Sequence, residues 1–285
     1  MADFRKTEFS GLPVIERGRR PEIFQDLYYW VLTIGWTTFI LAGCAAFTLI
    51  NFGFAGLYYL TGNQFSNARA DSFLDSMAFS VQTSSTVGYG YLAPVGLSAE
   101  LISMIQLTLS IFFIAMLTGL TFARISRPLA KVIFSRPLLW TVMDGEPILS
   151  FRLANGRSSH IANASVKVVA LMSFKTKERL ELRKFVDLKL LRSESPIFAF
   201  TWTIIHKIDS ESPLFGMDLE SFKAAKIEVF VNFLGYESVL AQNVHSFYRY
   251  THKEILENRQ FEDIVEVQGD DVRVIDYSKF HETKT

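Results

Sequence analysis

The sequence predicts a membrane protein of mixed class, with two spanning helices followed by an all-β domain. Residues 27–68 and 101–123 contain no Asp, Glu, Lys or Arg. A helix crosses a bilayer with about 20 apolar residues, so each stretch is long enough. After residue 137, apolar and polar residues alternate, which is typical of strands. We therefore expect a polar arm at residues 1–20, a membrane module at 21–136 and a β-sandwich at 137–285.

A short helix is predicted just before the first span, at about residues 21–33, after a mobile arm. Pro21 suits the first turn of a helix. The apolar residues at helical spacing are Phe24, Leu27, Tyr28 and Val31. Two interpretations remain open: the helix lies on the inner membrane face, or it is a cytoplasmic extension of the first span.

The first span is expected at about residues 30–59, with aromatic candidates for interfacial anchors near its ends. These are Trp30, Trp36, Tyr58 and Tyr59. The single cysteine, Cys44, lies in this span, so neither a disulfide framework nor a thiolate metal site is expected. A turn at Pro94 and Gly96 precedes the second span, which is expected at about residues 97–125.

A shorter helix is predicted at residues 73–83, with Ser72 as its N-cap. It is too short to cross a bilayer, and such a segment is tolerated only where it is buried in protein or lines water. Its C-terminal end carries partial negative charge, which would favour a cation.

The basic residues predict the orientation of the chain. Arg69 alone lies between the two spans, whereas basic residues precede the first and follow the second. By the positive-inside rule, both termini and the β-sandwich are cytoplasmic. The basic residues nearest the membrane are Arg17, Arg19, Arg20, Arg124, Arg127 and Lys131. They either signal topology with snorkelling side chains or bind anionic lipid head groups.

The alternating region predicts many short strands and few helices, which indicates a β-sandwich. The expected strands are 148–153, 166–172, 185–191, 198–205, 227–233, 239–247 and 272–275. The turn signals between them are Asp144-Gly145, Asn155-Gly156, Ser195-Pro196, Ser212-Pro213, Gly235 and Gly269-Asp270.

Composition and motifs argue against other classes of protein. The formal net charge is zero, so a nucleic-acid partner is not expected. Glycine-rich phosphate loops and familiar nucleophile patterns are absent from the sequence, so an enzyme is not expected. The five histidines are His160, His206, His245, His252 and His281. They lack metal-ligand spacing and are expected to be solvated or hydrogen-bonded in the core, with pH sensing as the alternative.

The segment that decides the function is Thr86-Val87-Gly88-Tyr89-Gly90. It resembles the selectivity filter of potassium channels, in which backbone carbonyls replace the hydration shell of the ion. The resemblance implies potassium coordination at residues 86–89, with the Thr86 hydroxyl adding an inner ring. Successive carbonyls that point the same way need unusual φ angles, which Gly88 and Gly90 can adopt. The residues that would support the filter are Gln82, Thr83 and Ser85.

The order of span, short helix, filter, span and β-sandwich resembles the inwardly rectifying potassium channels, closest to their prokaryotic branch. Further motifs carry the resemblance: residues 123–128 (ARISRP), 143–145 (MDG), 151–155 (FRLAN), 195–197 (SPI), 206–214 (HKIDSESPL) and 277–281 (YSKFH). It implies a homotetramer with an immunoglobulin-like cytoplasmic sandwich in the bacterial inner membrane. It also implies passive K⁺ conduction without a cofactor, contact with membrane lipids, and Ba²⁺ or Mg²⁺ as blockers. Residues 26–33 would be the slide helix that links the cytoplasmic domain to the gate.

Three positions depart from the family pattern. Gln82 stands where many members carry a Glu that forms a salt bridge behind the filter, so this filter must be braced otherwise. Ile114 stands where an acidic residue would trap Mg²⁺ and polyamines, which makes strong rectification doubtful. Lys131 is what remains of a basic run, which makes phosphoinositide activation doubtful.

One face of the second span is a candidate pore lining. Its residues are Leu107, Ile111, Ile114, Thr118 and Phe122. The alternative is that this face packs on helices or lipid. Four Phe122 rings would close a pore by excluding water, and Ile114 is a candidate for a second narrowing. Gly119 is either a bending point or a close helix contact. The alternative function is a membrane-tethered sensor with a disused pore, against which the intact TVGYG argues.

Overall fold

The computed structural model describes residues 5–9, 12–16, 27–127, 130–176, 178–268 and 272–285. The chain divides into two compact units, one of Arg19–Arg127 and one of Met1–Gly18 with Pro128–Thr285. Several predicted features lie outside the described residues: Arg17, Arg19, Arg20, the helix start at Pro21 and the turn at Gly269-Asp270.

The first unit is helical. Its described helices are α1 (Leu27–Thr33), α2 (Trp36–Leu60), α3 (Phe73–Ser84) and α4 (Leu97–Ile125). Both α2 and α4 are long and apolar enough to cross a membrane. The predicted first span is in fact two helices, because Gly35 takes an extended backbone, with ψ at 153°, as the N-cap of α2. This break favours a separate helix over a cytoplasmic extension of the span.

An aromatic cluster joins α2 to α3 and to the loop between them. The ring of Tyr58 lies 5.1 Å from that of Phe79 and 5.2 Å from that of Phe65. Tyr58 is fully buried, which corrects its predicted role as an interfacial anchor. Its ring is used to pack the unit together, since edge-to-face aromatic pairs add stability beyond their buried area.

The second unit is built of strands and includes a hairpin that lies within the predicted arm. The described strands are β1 (Arg5–Phe9), β2 (Leu12–Glu16), β3 (Val132–Phe134), β4 (Leu138–Met143), β5 (Glu146–Asn155), β6 (Ile161–Lys175), β7 (Glu181–Asp187), β8 (Glu194–Phe198), β9 (Thr201–Lys207), β10 (Glu228–Glu237), β11 (Gln242–Tyr250), β12 (Ile255–Glu257), β13 (Gln260–Phe261), β14 (Val265–Gln268), β15 (Val272–Ile275) and β16 (Thr283–Lys284). A short helix, α5 (Leu219–Ala224), precedes β10. The strand β3 begins before the predicted boundary at residue 137.

Two five-stranded sheets form the sandwich. One has the order β11-β10-β6-β7, with β8 also paired to β6, and the other has the order β12-β4-β5-β3, with β9 paired to β5. Inward residues of both sheets, such as Val168 and Val231 of one and Leu153 and Ile204 of the other, belong to one buried cluster. The alternation in the sequence therefore marks the inner face of each sheet.

The strand β5 does not alternate, because both of its faces are covered. Every residue from 148 to 155 is buried. The second face carries Ala154, which packs with Ile264 and Phe280, and Arg152, whose guanidinium lies 4.7 Å from the ring centre of Phe261. The C-terminal segment thus closes over the outer side of this sheet.

Some predicted turns are confirmed and others are wrong. Asp144-Gly145 joins β4 to β5 with φ angles of 53° and 81°, which suits a two-residue hairpin. Ser195-Pro196 instead lies inside β8, which among the described strands pairs with β6 alone, and proline is tolerated in such an edge strand. Gly235 lies inside β10 at a register shift, where an added Cβ would come within 2.4 Å of Ile161. The predicted strand at 198–205 is two strands, β8 and β9.

His206 occupies the core of this unit, which confirms the expected hydrogen-bonding role. Its Nδ1 lies 2.6 Å from the carbonyl oxygen of Lys189, and its Nε2 lies 2.8 Å from the hydroxyl of Ser212. A carbonyl can only accept, so Nδ1 carries the proton and Nε2 accepts from the serine. Burial lowers the pKa of His206, because it disfavours the charged imidazolium.

This lowered pKa predicts a loss of stability in mild acid. Below a pH of about 6.5 an unfolded histidine binds a proton that the folded His206 refuses, so stability falls by up to about 1.4 kcal/mol per pH unit. The fall ends below the folded pKa. We expect His206→Gln to flatten the dependence of the unfolding temperature on pH between about 7.5 and 5.5.

The exposed His245 provides the control. His245→Gln should keep the wild-type slope in the same thermal unfolding series on the purified full-length protein. Parallel curves for wild type and His206→Gln would contradict the role given to His206.

Candidate ion pathway

The helix α3 leads directly into the TVGYG segment, as predicted. Ser72 is its N-cap, with its hydroxyl accepting from the amide of Asp75 at 3.3 Å. The carboxylate of Asp75 also accepts from the backbone amide of Arg69 at 2.8 Å and from its guanidinium at 2.7 Å. Two partners therefore hold the first turn of α3, and its last residue, Ser84, lies two positions before Thr86.

The backbone after α3 turns its amides toward the helix. The carbonyl oxygen of Gln82 accepts from the amides of Val87 and Gly88, at 3.1 and 3.4 Å. A trans peptide places its carbonyl opposite its amide, so the carbonyls of Thr86 and Val87 both point away from α3. In a strand, successive carbonyls would alternate instead. The segment thus presents neighbouring oxygen atoms on one side, as coordination of a dehydrated cation requires.

Positive φ angles make this arrangement possible. Gly88 and Gly90 have φ at 51° and 79°, in agreement with the sequence prediction. Thr86 also has a positive φ, of 58°, which the sequence did not predict. A β-branched residue pays a steric cost in this region, and such strain persists only where the surrounding structure fixes it.

The far end of the segment is fastened to the loop after α2. The amide of Ala93 donates to the hydroxyl of Ser66 at 3.1 Å, and the amide of Ser66 donates to the carbonyl of Ala93 at 2.8 Å. The side-chain amide of Asn67 donates to the carbonyl of Tyr91 at 2.9 Å. Between these anchors, residues 86–90 are exposed in the single chain.

The three predicted support residues act mainly through their backbone and their own helix. The hydroxyl of Thr83 donates to the carbonyl of Phe79 at 2.8 Å, and that of Ser85 to the carbonyl of Val81 at 2.7 Å. The side-chain oxygen of Gln82 is buried and has no hydrogen-bond partner among the described residues. Within the described residues, the Gln82 side-chain oxygen therefore supplies none of the bracing expected in place of a salt bridge.

The predicted pore-lining residues share a free face of α4. The buried residues of α4 are Ala99, Gln106, Ser110 and Arg124. At 3.6 residues per turn, they centre roughly 100° away from the predicted pore face. All five predicted residues are exposed in the single chain, and Phe122 is 71% exposed. Gly119 has no neighbour within 4 Å of an added Cβ, so the described part of the chain makes no close contact there.

Comparisons with known proteins show which family has this order of pore helices and β-domain. The family model described as inward rectifier potassium channel C-terminal domain matches residues 132–285, and one described as ion channel matches residues 36–127. The inward rectifier potassium channel Kirbac3.1 of Paramagnetospirillum magnetotacticum is 37% identical over 257 residues, which are 90% of this chain and 87% of that protein.

The chain belongs to the inward rectifier potassium channel family.

Other comparisons are weaker. The inward rectifier potassium channel 4 of Homo sapiens is 30% identical over 231 residues, and the match covers 75% of this chain and half (50%) of that protein's length. The solved structure of Spo0M, a sporulation control protein from Bacillus subtilis, covers 46% of this chain and 50% of that chain. It has 13% identity and a TM-score of 0.26, which carries no argument.

Membership of the family confirms the predicted function class and fold. The protein is a potassium channel of the inward-rectifier type, with a two-helix pore module followed by a β-sandwich. Its cargo is the potassium ion, and the carbonyls of Thr86 and Val87 point away from α3 on the exposed side of the segment.

The channel uses Arg124 differently from the sequence prediction of a lipid-facing side chain. Arg124 is buried, and its guanidinium donates to the carbonyls of Val31 and Ile34, the latter at 2.6 Å. The same guanidinium lies 4.8 Å from the ring centre of Trp36 and 4.7 Å from that of Phe39. It therefore caps the C-terminal end of α1, where free carbonyls and the helix dipole favour a cation.

The neighbouring Arg127 remains at the surface. It is exposed, with one long contact of 3.3 Å to the carbonyl of Leu32. Lys131 is also exposed. Among the described basic residues predicted to face lipid, Arg127 and Lys131 keep side chains free to do so.

A second group that the sequence did not single out lies between α2, α3 and α4. Gln106 is fully buried, and its side chain bonds to Tyr58, Ser80 and Ser84. The signal available in the sequence was the presence of polar residues inside three otherwise apolar helices: Asn51, Ser80, Ser84, Gln106 and Ser110. Polar residues in spanning helices usually face other helices.

The contrast between the two arginines gives a prediction about stability. Arg124→Gln leaves the partly buried carbonyls of Val31 and Ile34 without a charged donor and should lower the unfolding free energy by about 1–3 kcal/mol. Arg127→Gln removes an exposed contact and should cost less than about 1 kcal/mol. Thermal unfolding of both purified variants in detergent would measure this. Equal losses would contradict the role of Arg124 as a buried cap.

Proposed function

We propose that four copies of the chain form a passive, potassium-selective pore around a common axis. The observation that carries this proposal is the exposed segment of residues 86–90, in which the amides of Val87 and Gly88 face α3 and the carbonyls of Thr86 and Val87 face away. One chain supplies one such strand, and a ring of ligands around an ion needs several. Four strands would bind K⁺ through Thr86, Val87, Gly88 and Tyr89.

The inner end of α4 is the proposed gate. Phe122 is largely exposed in the single chain. It lies at the C-terminal end of the α4 face that also carries Leu107, Ile111, Ile114 and Thr118. Four such rings would exclude water from a closed pore. Gly119, three residues earlier, is the proposed hinge. Because Ile114 carries no charge, it would hold Mg²⁺ poorly, so we propose weak rectification, with Ba²⁺ as a filter blocker.

The β-sandwich and the membrane lipids are the proposed regulators. The helix α1 is fixed to the end of α4 by Arg124, two residues from Phe122. A force on α1 would therefore reach the gate. Arg127 and Lys131 are exposed and follow the second span closely in the sequence, and each would attract anionic head groups near a membrane surface by about 1 kcal/mol.

The proposed location is the bacterial inner membrane, with both termini and the β-sandwich in the cytoplasm. The distribution of basic residues around the two spans supports this orientation. The similarity to a bacterial channel over 90% of the chain supports the bacterial inner membrane as the proposed location.

The proposed function predicts selective flux. Liposomes that hold the purified protein should pass K⁺ down its gradient, with little Na⁺ flux and with block by external Ba²⁺. Protein-free liposomes are the control, and vesicles with and without anionic lipid test the lipid dependence. Flux that does not change with anionic lipid would remove the lipid site.

If the wild-type protein passes no K⁺ in liposomes, the proposed gate is the next feature to test. Phe122→Ala should widen the inner constriction and raise the single-channel open probability in planar bilayers. The matched control is Phe112→Ala, since Phe112 is 69% exposed but lies roughly 120° from the predicted pore face. An unchanged open probability would exclude Phe122 as the gate. Absence of flux in wild type and Phe122→Ala alike would favour the alternative of a membrane-tethered sensor.

A further inference from the structure

A buried polar cluster ties the middle of α4 to the C-terminal end of α3. The side-chain oxygen of Gln106 accepts from the hydroxyl of Tyr58 at 2.7 Å. Its Nε2 lies 2.7 Å from the hydroxyl of Ser84, 2.8 Å from that of Ser80 and 2.9 Å from the carbonyl of Ser80. The side-chain oxygen of Asn51 lies 3.4 Å from the same nitrogen, so two N–H groups serve four acceptors, three of which lie on the last turns of α3.

The cluster is closed on all sides by protein groups. The hydroxyl of Ser80 donates toward the carbonyl of Asn51 at 2.9 Å, and that of Ser110 toward the hydroxyl of Ser84 at 3.0 Å. None of these residues is more than 3% exposed. In an apolar surrounding, no solvent replaces a lost partner, so each bond that is removed leaves a polar group unpaired.

The position of Ser84 connects this cluster to the filter. Ser84 ends α3, and the strained Thr86 follows two residues later. The amide of Thr86 donates to the carbonyl of Thr83 at 3.2 Å, so the last turn of α3 directly sets where the filter begins. The side-chain oxygen of Gln82, behind the filter, accepts no hydrogen bond within the described chain.

We propose that Gln106 is a positioning residue for the filter, holding the end of α3 through Ser84 in the geometry that selects K⁺. The inference rests on the proposed function in one respect, that residues 86–89 bind K⁺. It predicts that loss of the Gln106 amide reduces the free energy of K⁺ binding by more than it reduces the free energy of unfolding. It also makes α4 a direct link between the filter and the inner gate, because Gln106 and Phe122 lie on the same helix, about 24 Å apart at 1.5 Å per residue.

The test measures K⁺ binding without needing an open gate. The purified channel in detergent is unfolded thermally over a K⁺ titration at constant ionic strength in Na⁺, and the apparent K⁺ affinity is taken from the K⁺-dependent rise in unfolding temperature. We expect Gln106→Leu to weaken that affinity about tenfold, which is the order of effect of one lost buried hydrogen bond. Ser84→Ala should shift it in the same direction by a smaller factor.

Thr108→Val is the matched control. Thr108 is exposed on the same helix, and its hydroxyl bonds to the carbonyl of Met104, one turn earlier in α4. This variant should bind K⁺ as wild type does. A residue that merely stabilises the fold would lower the unfolding temperature equally at every K⁺ concentration, so wild-type K⁺ affinity in Gln106→Leu would overturn the proposal.

Three further outcomes are decisive. If Gln106→Leu does not assemble, Ser84→Ala carries the test, and unchanged K⁺ affinity in that variant overturns the proposal. If wild type shows no K⁺-specific stabilisation at all, the proposed K⁺ site at residues 86–89 fails, and the positioning role fails with it. K⁺ binding by a wild type that conducts nothing would count against the proposed conduction while leaving the role of Gln106 fully measurable.

Discussion

The constraint on which the helical unit depends is that every polar group removed from water must find a partner inside the protein. A helix that ends in mid-membrane, as α3 is proposed to do, frees carbonyls and brings in an irregular segment. The chain meets this demand with its own backbone, because the Gln82 carbonyl takes the amides of Val87 and Gly88. The carbonyls of Thr86 and Val87 point to the opposite side, away from α3. In the proposed pore they are acceptors that remain available to the ion.

The same constraint explains how a strained filter can persist. Thr86 holds a left-handed φ of 58°, which a β-branched side chain resists. The segment is clamped before it by the end of α3 and after it by the loop that carries Ser66 and Asn67. The aromatic cluster around Tyr58 and the amide of Gln106 hold α3 itself. Aromatic packing and buried hydrogen bonds therefore hold the segment in place, although the parallel dipoles of its carbonyls repel one another.

Much of the fold could be predicted from the sequence, because hydrophobic periodicity and helix signals are local. The bounds of α3 and α4 follow from Ser72, from Gly96 and from the lengths of the apolar runs. The turn signals were less reliable, because Ser195-Pro196 and Gly235 have strand geometries that neighbours permit. Pro196 lies in an edge strand, and Gly235 lets β10 approach Ile161 closely. The TVGYG segment was predictable from its resemblance, but the Gln106 cluster was not. Its members are spread over three helices, and only tertiary structure shows that they meet.

Arg124 and Arg127 show why counting charges is informative about topology but not about roles. Both lie at the C-terminal end of the second span, and both contribute equally to the positive-inside signal. One turn of helix separates them, yet Arg124 meets the free carbonyls of α1 and two aromatic rings, whereas Arg127 remains at the surface. A guanidinium is well suited to the first environment, because its planar fork can satisfy two carbonyls while its face stacks on an aromatic ring. Lysine would keep the topology signal and lose the cap. The arginine at this position is therefore explained by its local contacts, whereas the proposed orientation of the chain rests on the sum of its basic residues.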